Sequence, residues 1–590
     1  MLGVPQAVQR AFAAYQRGDL VEAEKLCRAV LGVKADSFDA LHLLGVVAAR
    51  TRRTQEAVEL LRLAVAVNPA DAAAHSHLGN ALRALGRPGE ALGNYDRALA
   101  LEPRYAEALY NRGNALADLK RPAEALASYE RTLALMPNFA EAHNNRGVAL
   151  TALDRPDDAL QSFERALELQ PRYAEAHANR GIALFELKRT AEALASHDRA
   201  VALRPDYAEG HYNRGVALAA LDRPAEALQS YERALALKRD YAEAYNDRGI
   251  ALFELKRHAQ AIESYERALA LEPGHASAHW NLALCRLLLG DFERGWQEYE
   301  WRLKVGPQAE PSRSFAQPLW RGTQPLEGKT MLLQGEQGLG DTLQFCRYAA
   351  KVAALGARVL LEVQPPLVEL LADLEGVTQV VQDGGPLPSF DYYCPLMSLP
   401  LAFRTALHDI PLRIPYVRSE AGRVGVWREW LGTQTKPRIG LAWSGSAAHR
   451  NDRNRSIALA EILPIVGDWG DWISLQKDLS ESDATLLRSR ANVRQVGREL
   501  RDFADTAALV ELMDVVVTVD TSVAHLAGAM GKPVWILLPF NPDWRWLLDR
   551  EDSVWYPTAR LFRQPAIGDW ANPVRRVREA LERQFRGHGT

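Results

Sequence analysis

The stretch LYNRGNALADLKRPAEALASYERTLALMPNFAEA, residues 109–142, is followed by a near copy of itself, HNNRGVALTALDRPDDALQSFERALELQPRYAEA, residues 143–176. Three further copies run to residue 278, and a glycine recurs at every thirty-fourth position. The recurring glycines are Gly45, Gly79, Gly113, Gly147, Gly181, Gly215 and Gly249, with Ala283 next in register. This regularity predicts a stack of identical units, each of which buries its apolar face against its neighbours.

Each copy has the pattern of two helices. Pro122 follows the turn and fits the first position of the second helix, where its missing N–H has no intrahelical partner. Leu126, Tyr129 and Leu133 then form an apolar stripe at helical spacing. The period, the small residues where the helices touch, the A-x3-[YF] pattern and the junction proline resemble the tetratricopeptide repeat. The resemblance implies an α-solenoid of about eight or nine repeats over residues 5–304, with a concave surface lined by the first helices.

An asparagine recurs two residues before most of the repeat glycines. The row consists of Asn111, Asn145, Asn179, Asn213 and Asn281. His77 and Asp247 interrupt it. It resembles the asparagine ladder by which protein O-GlcNAc transferases hold the backbone of an acceptor polypeptide, since an amide both donates and accepts. The alternative, left equally open, is that the asparagines cap or bridge neighbouring repeats.

An arginine stands directly before the repeat glycine in several copies, at a position where this repeat usually has leucine. The row consists of Arg112, Arg146, Arg180, Arg214 and Arg248. Such a row could attract an acidic acceptor segment. The interpretation that we favour is structural: the aliphatic stems lie along the packing surface, and the guanidinium groups pair with repeat glutamates such as Glu107 and Glu141.

Composition narrows the class of protein. The formal net charge of -3 on 590 residues gives no indication of nucleic acid or an anionic membrane as the main partner. The cysteines lie without CxxC or zinc-like spacing, which favours a reducing, cytoplasmic location and predicts no metal site. They are Cys27, Cys285, Cys346 and Cys394. No signal peptide and no membrane-spanning run is predicted, and the oligomeric state is left open.

The second half of the chain follows another pattern. All fourteen tryptophans lie at or beyond Trp280, and Pro, Gln and Ser replace helical spacing between residues 306 and 325. Apolar runs typical of buried strands then alternate with helix-length segments, in two successive series. They predict α/β architecture with two doubly wound, Rossmann-like lobes and a cleft between them. The predicted domains are a repeat superhelix at 5–304, a linker at 305–326, and lobes at 327–433 and 434–590.

Loops directly after parallel strands are the places where such sheets bind ligands. After the first strand comes GEQGLGD, which places Asp341 at a helix start. After RIGLAW come Ser444, Gly445 and Ser446, which could present backbone N–H groups to phosphate, with Arg455 further along. The alternative for this segment is an exposed polar loop. Lys477 follows WISLQ and could meet a diphosphate, although an ordinary surface lysine is the interpretation that we favour there.

The segment DTSVAHLAGAMGKPV, residues 520–534, follows the apolar run VVVTV. Thr521 or Ser522 could cap the helix and Gly531 could end it, so the preferences of helix ends account for these residues without a ligand. It does not account for His525, which shares a face with Ser522 in the first turn. The partial positive charge of the helix N-terminus there favours a neutral imidazole and attracts an anion.

Three motifs, GLGDTLQ, LAWSGS followed by NRSI, and VDTSVAHLAGAMGKPVWILL, resemble the heptosyltransferase-like glycosyltransferases of family 9. The resemblance spans about residues 329–565. It implies a GT-B fold, no metal or other cofactor, and transfer of a sugar with inversion from a nucleotide-sugar donor. It also implies roles for individual residues: Asp341 as general base, Arg455 on the donor phosphate, and Asp520, Thr521, Ser522 and His525 in the donor-binding turn.

The chain departs from that family in its repeat array and in Ser522, where glycine is frequent, which puts the heptose donor and the lipopolysaccharide acceptor in doubt. A repeat superhelix joined to a GT-B half is similar in architecture to the protein O-GlcNAc transferases. We therefore expect a polypeptide acceptor in the repeat groove. The alternative is a non-catalytic repeat scaffold with a degenerate nucleotide-sugar-binding domain. A dinucleotide oxidoreductase has little support, because neither lobe has the glycine fingerprint followed by an acid.

Overall fold

The computed structural model of the protein describes residues 3–305, 313, 315–445, 452–490 and 492–586. Contacts between residues divide the chain into two compact units, Met1–Asp240 and Tyr241–Thr590. The division falls inside the predicted repeat array. Within the described residues, no helix is both long and apolar enough to cross a membrane.

The first unit is a long run of helices packed in consecutive pairs, as the tetratricopeptide pattern predicts. Pro122 begins the second helix of its pair, in the predicted place. The helices are α1 (Val4–Gln16), α2 (Leu20–Val33), α3 (Phe38–Arg50), α4 (Thr54–Val67), α5 (Ala72–Ala84), α6 (Pro88–Leu101), α7 (Ala106–Asp118), α8 (Pro122–Leu135), α9 (Ala140–Thr151), α10 (Pro156–Leu169), α11 (Ala174–Glu186), α12 (Thr190–Leu203), α13 (Ala208–Ala220) and α14 (Pro224–Leu237).

The repeat glycines permit the close approach of the two helices in a pair. A Cβ atom at Gly113 would lie 2.5 Å from Cε1 of Tyr129, sixteen residues on, and one at Gly147 would lie 2.5 Å from Cε1 of Phe163. Contacts this short are not tolerated in a packed core. From Gly79 to Gly249, each repeat glycine therefore faces an aromatic or imidazole ring of the second helix, and Gly45 faces Leu61 in the same way.

The second unit begins with helix pairs and continues with strands and helices in alternation. Its helices are α15 (Ala242–Glu254), α16 (His258–Leu271), α17 (Ala276–Leu288), α18 (Phe292–Tyr299), α19 (Leu339–Phe345), α20 (Ala349–Ala353), α21 (Val368–Leu371), α22 (Leu399–Ala402), α23 (Ala421–Leu431), α24 (Asp452–Arg455), α25 (Leu459–Ile462), α26 (Glu481–Arg488), α27 (Phe503–Glu511), α28 (Ser522–Ala529) and α29 (Ala571–Phe585). Its strands are β1 (Thr330–Gln334), β2 (Arg358–Val363), β3 (Gln379–Gln382), β4 (Tyr392–Pro395), β5 (Arg438–Ala442), β6 (Asp471–Ser474), β7 (Val493–Gln495), β8 (Val515–Val519), β9 (Val534–Leu538) and β10 (Ala559–Arg563).

The strands form two parallel sheets. Sheet A has the order β3-β2-β1-β4 and sheet B the order β10-β9-β8-β5-β6-β7. In sheet A the order reverses between β1 and β4, and in sheet B between β5 and β8. Crevices at the carboxyl ends of strands open at such reversal points, so the loops after β1, β5 and β8 are the favoured ligand positions.

The last helix pairs share an apolar core with sheet A. Leu287 and Trp296 from the repeats belong to the same buried cluster as Met331, Leu333 and Phe345. A second apolar cluster lies between α29 and one face of sheet B, and it includes Ile439 of β5. The helix-length segment between β1 and β2 is not one continuous helix, because a short 3-10 turn over Cys346–Tyr348 separates α19 from α20. The segment predicted as linker also contributes, since Leu319 pairs with Tyr393 in a parallel bridge beside β4.

Candidate functional site

The loop after β1 places Asp341 as the third residue of α19. One carboxylate oxygen accepts from the backbone N–H of Gly338 at 2.8 Å, which fixes the first turn of the helix. The residue of this loop with left-handed backbone is Gln337, at φ 60°, rather than one of the loop glycines. Gly340 is required for another reason: a Cβ atom there would lie 2.7 Å from Cδ2 of His525.

The first turn of α28 therefore lies directly against the first turn of α19. His525 is buried, and its Nδ1 is 2.9 Å from the hydroxyl of Tyr556. The indole of Trp546 stacks on its imidazole with ring centroids 5.5 Å apart. Nε2 of His525 is 3.9 Å from Oδ1 of Asp520, at the end of β8. The structure thus brings Asp341 from one sheet close to Asp520 and His525 from the other.

Arg545 joins these groups. Its guanidinium pairs with Asp341, donates to Oδ1 of Asp543 at 2.9 Å and donates through Nε to Oε1 of Gln344 at 2.5 Å. The ring of Trp544 lies 4.5 Å from its Cζ atom. The side chain is only 8% exposed. Burial alone would lower the pKa of Arg545, but the neighbouring carboxylates Asp543 and Asp341 raise it above its usual value, so the group is a fixed cation.

Burial and charge shift the titration of two predicted residues in opposite directions. Burial, reinforced by Asp543, raises the pKa of Asp520 to about 6, although Arg455 and Arg545 oppose the shift. Burial, followed by the nearby cations Arg545, Arg347 and Arg455, lowers the pKa of His525 well below its usual value. The imidazole is therefore neutral, as predicted, and burial is the leading cause of the shift.

Arg455 belongs to the same group of residues. Its Nη1 donates to the carbonyl of Asp520 at 3.2 Å, and its Nε donates to Asp452 at 3.3 Å. A Cβ atom at Gly445 would lie 2.5 Å from Nη2 of Arg455, so the loop after β5 follows the guanidinium closely. The N–H of Gly445 already donates to Ser456 at 3.0 Å, whereas we predicted that it faces a ligand.

Other predicted donor-site residues differ from expectation. The N–H of Ser444 donates to Oε1 of Gln476 at 3.3 Å, and Ser446 lies outside the described residues. Thr521 stands at the N-cap position of α28, one of the two positions predicted, but its side chain makes no capping bond. Its hydroxyl is instead 3.1 Å from that of Thr518.

Ser522 is half-buried, and its Cα lies 3.5 Å from the position that a Cβ atom on Gly340 would take. Ser522 therefore lies beside the polar cluster formed by Asp341, Asp520, His525 and Arg545. Lys477 is exposed and donates to the carbonyl of Arg501, and within the described residues no contact joins it to the cluster. Of the residues predicted at the donor site, the structure therefore groups Gly445, Arg455, Asp520, Ser522 and His525.

The asparagine row is used for contacts between and within repeats. Asn145 donates to Oδ1 of Asn114 at 2.9 Å and to the hydroxyl of Tyr110 at 3.1 Å. Asn179 donates to Asn144 at 3.0 Å in the preceding repeat. In the second unit Asn281 donates to Asn246 at 3.0 Å. These bonds favour the bridging interpretation at those positions. The half-buried Asn111 and Asn213 complete the row.

The arginine row is structural, with partners other than Glu107 and Glu141. Each arginine donates through Nη1 to the serine sixteen residues on, at 2.5 to 2.8 Å. The serines are Ser128, Ser162, Ser196, Ser230 and Ser264. Several also pair with an acid sixteen residues earlier, at 2.6 to 3.9 Å. These acids are Asp96, Glu130, Glu164 and Asp198.

Sequence reasoning missed Asp543, Arg545, Trp546 and Tyr556. The first three lie in the segment PFNPDWRWLLD, residues 539–549, which directly follows β9. The rule applied to the other loops, that residues after a parallel strand are candidates, would have found this segment. It carries two acids, an arginine and two tryptophans. Tyr556 had no such signal, because its role depends on a hydrogen bond to a residue thirty-one positions away.

The arrangement combines carboxylates, two cations and a neutral imidazole at a helix N-terminus. Asp341 is 19% exposed, against 12% for Asp520, so the first is the better placed for proton transfer to a ligand. Arg455, Arg545 and the N-terminus of α28 suit a polyanion such as a diphosphate. The described residues contain no group of three or more His, Cys, Asp or Glu side chains arranged to hold a metal ion.

Comparison with known proteins identifies the class of the N-terminal half. Models of the tetratricopeptide repeat match residues 9–75, 76–138, 140–173, 208–241 and 242–275, and a TPR repeat model matches residues 183–222. The N-terminal half of the chain is therefore built of tetratricopeptide repeats, a scaffold suited to binding proteins.

Individual proteins resemble parts of the chain. Protein FlbA of Caulobacter vibrioides is 27% identical over 326 residues, which cover 51% of this chain and 54% of FlbA, so the chain spans about half the length of that relative. The structure of YrrB, a TPR protein with an unusual peptide-binding site, is 28% identical and covers 32% of this chain and 96% of YrrB, with a TM-score of 0.28. The structure of the Cut9–Hcn1 hetero-tetramer of APC/C is 15% identical over 48% of this chain and 55% of the matched chain, with a TM-score of 0.38.

Proposed function

We propose that the chain is a metal-independent, inverting glycosyltransferase of the GT-B type, which moves a sugar from a nucleotide-sugar donor to an acceptor. In this proposal residues 327–433 form the acceptor-side lobe and residues 434–590 the donor-binding lobe. The observation that carries it is the meeting of Asp341, after β1 of sheet A, with Arg545 and His525, after β9 and β8 of sheet B. An acid from one lobe that faces cations and a helix N-terminus from the other suits transfer between two bound substrates.

The reaction follows from the chemistry of these groups. Asp341 accepts the proton of the acceptor hydroxyl, whose oxygen forms a bond to the anomeric carbon of the donor sugar from the face opposite the leaving group. The bond between that carbon and the diphosphate oxygen breaks, and the electron pair leaves with the nucleoside diphosphate. Arg455 and the N–H groups at the start of α28 stabilise its growing negative charge.

Arg545 has a double role in this proposal. In the structure it pairs with Asp341 and Asp543. A bound diphosphate competes for the same guanidinium, because phosphate oxygens are strong acceptors of paired N–H groups. Donor binding would then draw Arg545 away from Asp341 and leave that carboxylate free to accept the hydroxyl proton.

We propose that the acceptor is a polypeptide held by the repeats. Support comes from the repeat scaffold itself and from the amide row Asn111, Asn145, Asn179, Asn213 and Asn281. Asn179 and Asn281 use a side-chain N–H for bonds between repeats, yet an amide also carries two acceptor positions on oxygen. The row could hold backbone N–H groups of an acceptor while it braces the array.

The first test is donor binding. The full chain is titrated by calorimetry with UDP, GDP, ADP, CMP and dTDP sugars, and binding of at least one is expected.

The second test is Asp341→Asn, which keeps an oxygen acceptor for Gly338 and removes the base. Transfer should fall about 10²- to 10⁴-fold, the usual contribution of a general base, while donor binding is retained. Asp373→Asn, an exposed acid on the same lobe, is the matched control. Unchanged turnover in Asp341→Asn would remove this residue from the mechanism.

One observation favours a second function, a repeat scaffold without catalysis. Both carboxylate oxygens of Asp341 are engaged, one by Arg545 and one by the N–H of Gly338. If this pairing is permanent, the site is a nucleotide-binding or purely structural remnant. Absence of binding to any nucleotide sugar in the calorimetric panel would support the scaffold, and binding without release of nucleoside diphosphate would support a sensor.

A further inference from the structure

The last repeat helices contact the loop that carries Asp341. Arg302, in the 3-10 turn that follows α18, is buried with only 1% of its side chain exposed. It donates through Nη2 to Oε1 of Glu336 at 2.6 Å and through Nε to Oε2 at 3.2 Å. Glu336 also accepts from the backbone N–H of Met397 at 3.2 Å. This two-bond pair fixes the glycine-rich loop five residues before Asp341.

The same helices contact the loop that carries Arg545. The side chain of Asn541 donates to the carbonyl of Glu254, the last residue of α15, at 2.7 Å. The ammonium nitrogen of Lys256, in the next turn, lies 3.5 Å from the ring centroid of Phe540, a cation–π distance.

Trp544 extends this attachment up to the functional residue itself. Its ring is perpendicular to that of Trp296 at a centroid distance of 5.2 Å, and it lies 5.8 Å from the ring of Tyr299. Both partners belong to α18, and Trp544 is only 3% exposed. The next residue, Arg545, pairs with Asp341, so the segment from residue 540 to residue 545 runs from the repeat helices into the site.

We propose that the repeat segment Tyr241–Lys304 positions both loops of the site, and that Arg302 and Lys256 are positioning residues that act through Glu336 and Phe540. The effect of these residues on turnover rests on the proposed transfer reaction, whereas their effect on the order of the loops is independent of it. The terminal repeats then have a task that the earlier repeats lack. They set the relative placement of the acid and the cation that face each other across the site.

Lys188 offers a matched control for Lys256. It stands at the same position of the repeat two copies earlier, and both residues adopt left-handed backbone, with φ of 62° and 56°. A change of Lys to Gln therefore disturbs the turn equally at both positions. Only the change at residue 256 removes the cation from the ring of Phe540.

The experiment is hydrogen–deuterium exchange on the full, ligand-free chain, with peptides that cover residues 335–346 and 539–549. Lys256→Gln should speed exchange in 539–549 by about 2- to 30-fold, the range that corresponds to a cation–π contact, and should speed exchange in 335–346 to a smaller extent. Lys256→Arg should restore protection, and Lys188→Gln should leave both regions unchanged. Glu336→Gln should speed exchange more in residues 335–346 than in residues 539–549.

Turnover supplies the second measurement. With the donor found in the calorimetric panel, Lys256→Gln should lower kcat by about 2- to 30-fold, while Lys188→Gln should not change it. Equal exchange in Lys256→Gln and Lys188→Gln would overturn the proposal, whatever the turnover. If the unaltered chain releases no nucleoside diphosphate, the transfer reaction fails, and the exchange comparison still decides whether the repeats position the loops.

Discussion

The repeat array and the cluster around Asp341 use polar side chains in different ways. In the array an arginine, a serine and an acid meet at the same spacing in successive copies, so each polar group finds its partner by periodicity. In the cluster Arg545 pairs with an acid 204 residues away and no part of the pattern repeats. Repeated polar residues in this chain hold repeats together, and unrepeated ones that converge mark the candidate site.

The sharpest way to test this contrast is to remove one arginine from each region. Arg545→Met removes a buried cation from its partly buried partners Asp341 and Asp543 and should lower the free energy of unfolding by about 3 kcal/mol. Arg180→Met breaks bonds to Ser196 and Glu164 at a more exposed position and should cost about 1 kcal/mol. Urea denaturation measures both values. Equal losses would mean that the cluster is no more tightly coupled than the array.

The next test uses pH. Because the pKa of Asp520 in the folded chain is about 6, above its usual value, the native state binds this proton more tightly than the unfolded state. Its contribution to stability is therefore lost as pH rises from about 4 through 6. The Asp520→Asn variant lacks this loss. Relative to the unaltered chain, its free energy of unfolding should therefore rise by on the order of 2–3 kcal/mol between pH 4 and pH 7.

Urea unfolding at pH 4, 5, 6 and 7 measures this shift. The neutral His525 is present in both chains, so its own pH dependence largely cancels in the comparison. A difference that stays constant with pH would show that Asp520 is not the group whose titration is linked to folding.

The third test places the same substitution in both regions. Gly113→Ala would bring a Cβ atom to 2.5 Å from the ring of Tyr129, and Gly340→Ala would bring one to 2.7 Å from His525. Each should cost about 1–3 kcal/mol of stability, part of which the better helix propensity of alanine offsets. Thermal unfolding measures that cost. Only Gly340→Ala should also weaken nucleotide-sugar binding in calorimetry, and equal binding by both variants would separate His525 from the donor site.

The smallest expected effect is a gain in stability within the array. His197 occupies the position against Gly181 that Phe163 occupies against Gly147. Within the described residues its Nδ1 has no hydrogen-bond partner, and burial lowers its pKa to about 4. His197→Phe should add about 1 kcal/mol at pH 7.

The gain from His197→Phe should grow as pH falls below about 6.5, the unperturbed value for histidine. The sign follows because a histidine with a lowered pKa stabilises the fold above its unfolded pKa and loses that contribution as pH falls. Urea unfolding at pH 5 and pH 7 measures the change. A loss of stability at both pH values would show that this position requires the imidazole.

Periodicity and apolar runs explain which parts of the fold were predictable. The repeat helices follow from the glycine and aromatic spacing, and β1, β2, β5, β8 and β9 are apolar runs in the sequence. Strand β7 was missed because it is only three residues long, and β10 because two of its five residues are arginines that interrupt the apolar run.

Within the site, Asp341, Arg455, Asp520 and His525 were predictable from their places after strands or in matched motifs. Arg545 was not singled out, because its role arises from packing between segments that are distant in sequence. The same limit applies to the backbone N–H groups of Ser444 and Gly445, whose partners Gln476 and Ser456 could not be read from local spacing.

The bond pattern of the arginine row has a consequence for how this array can change over generations. Arg112, Arg146, Arg180 and Arg214 each bond a serine in their own repeat and an acid in the preceding repeat. Neighbouring copies in this part of the array therefore carry the same donors and acceptors at the same positions. Deletion or duplication of a 34-residue coding unit by recombination would join an acid of one copy to an arginine of another and restore the bond. The array can therefore lengthen or shorten in whole repeats without compensating mutations, whereas the loops around Asp341 allow no such exchange.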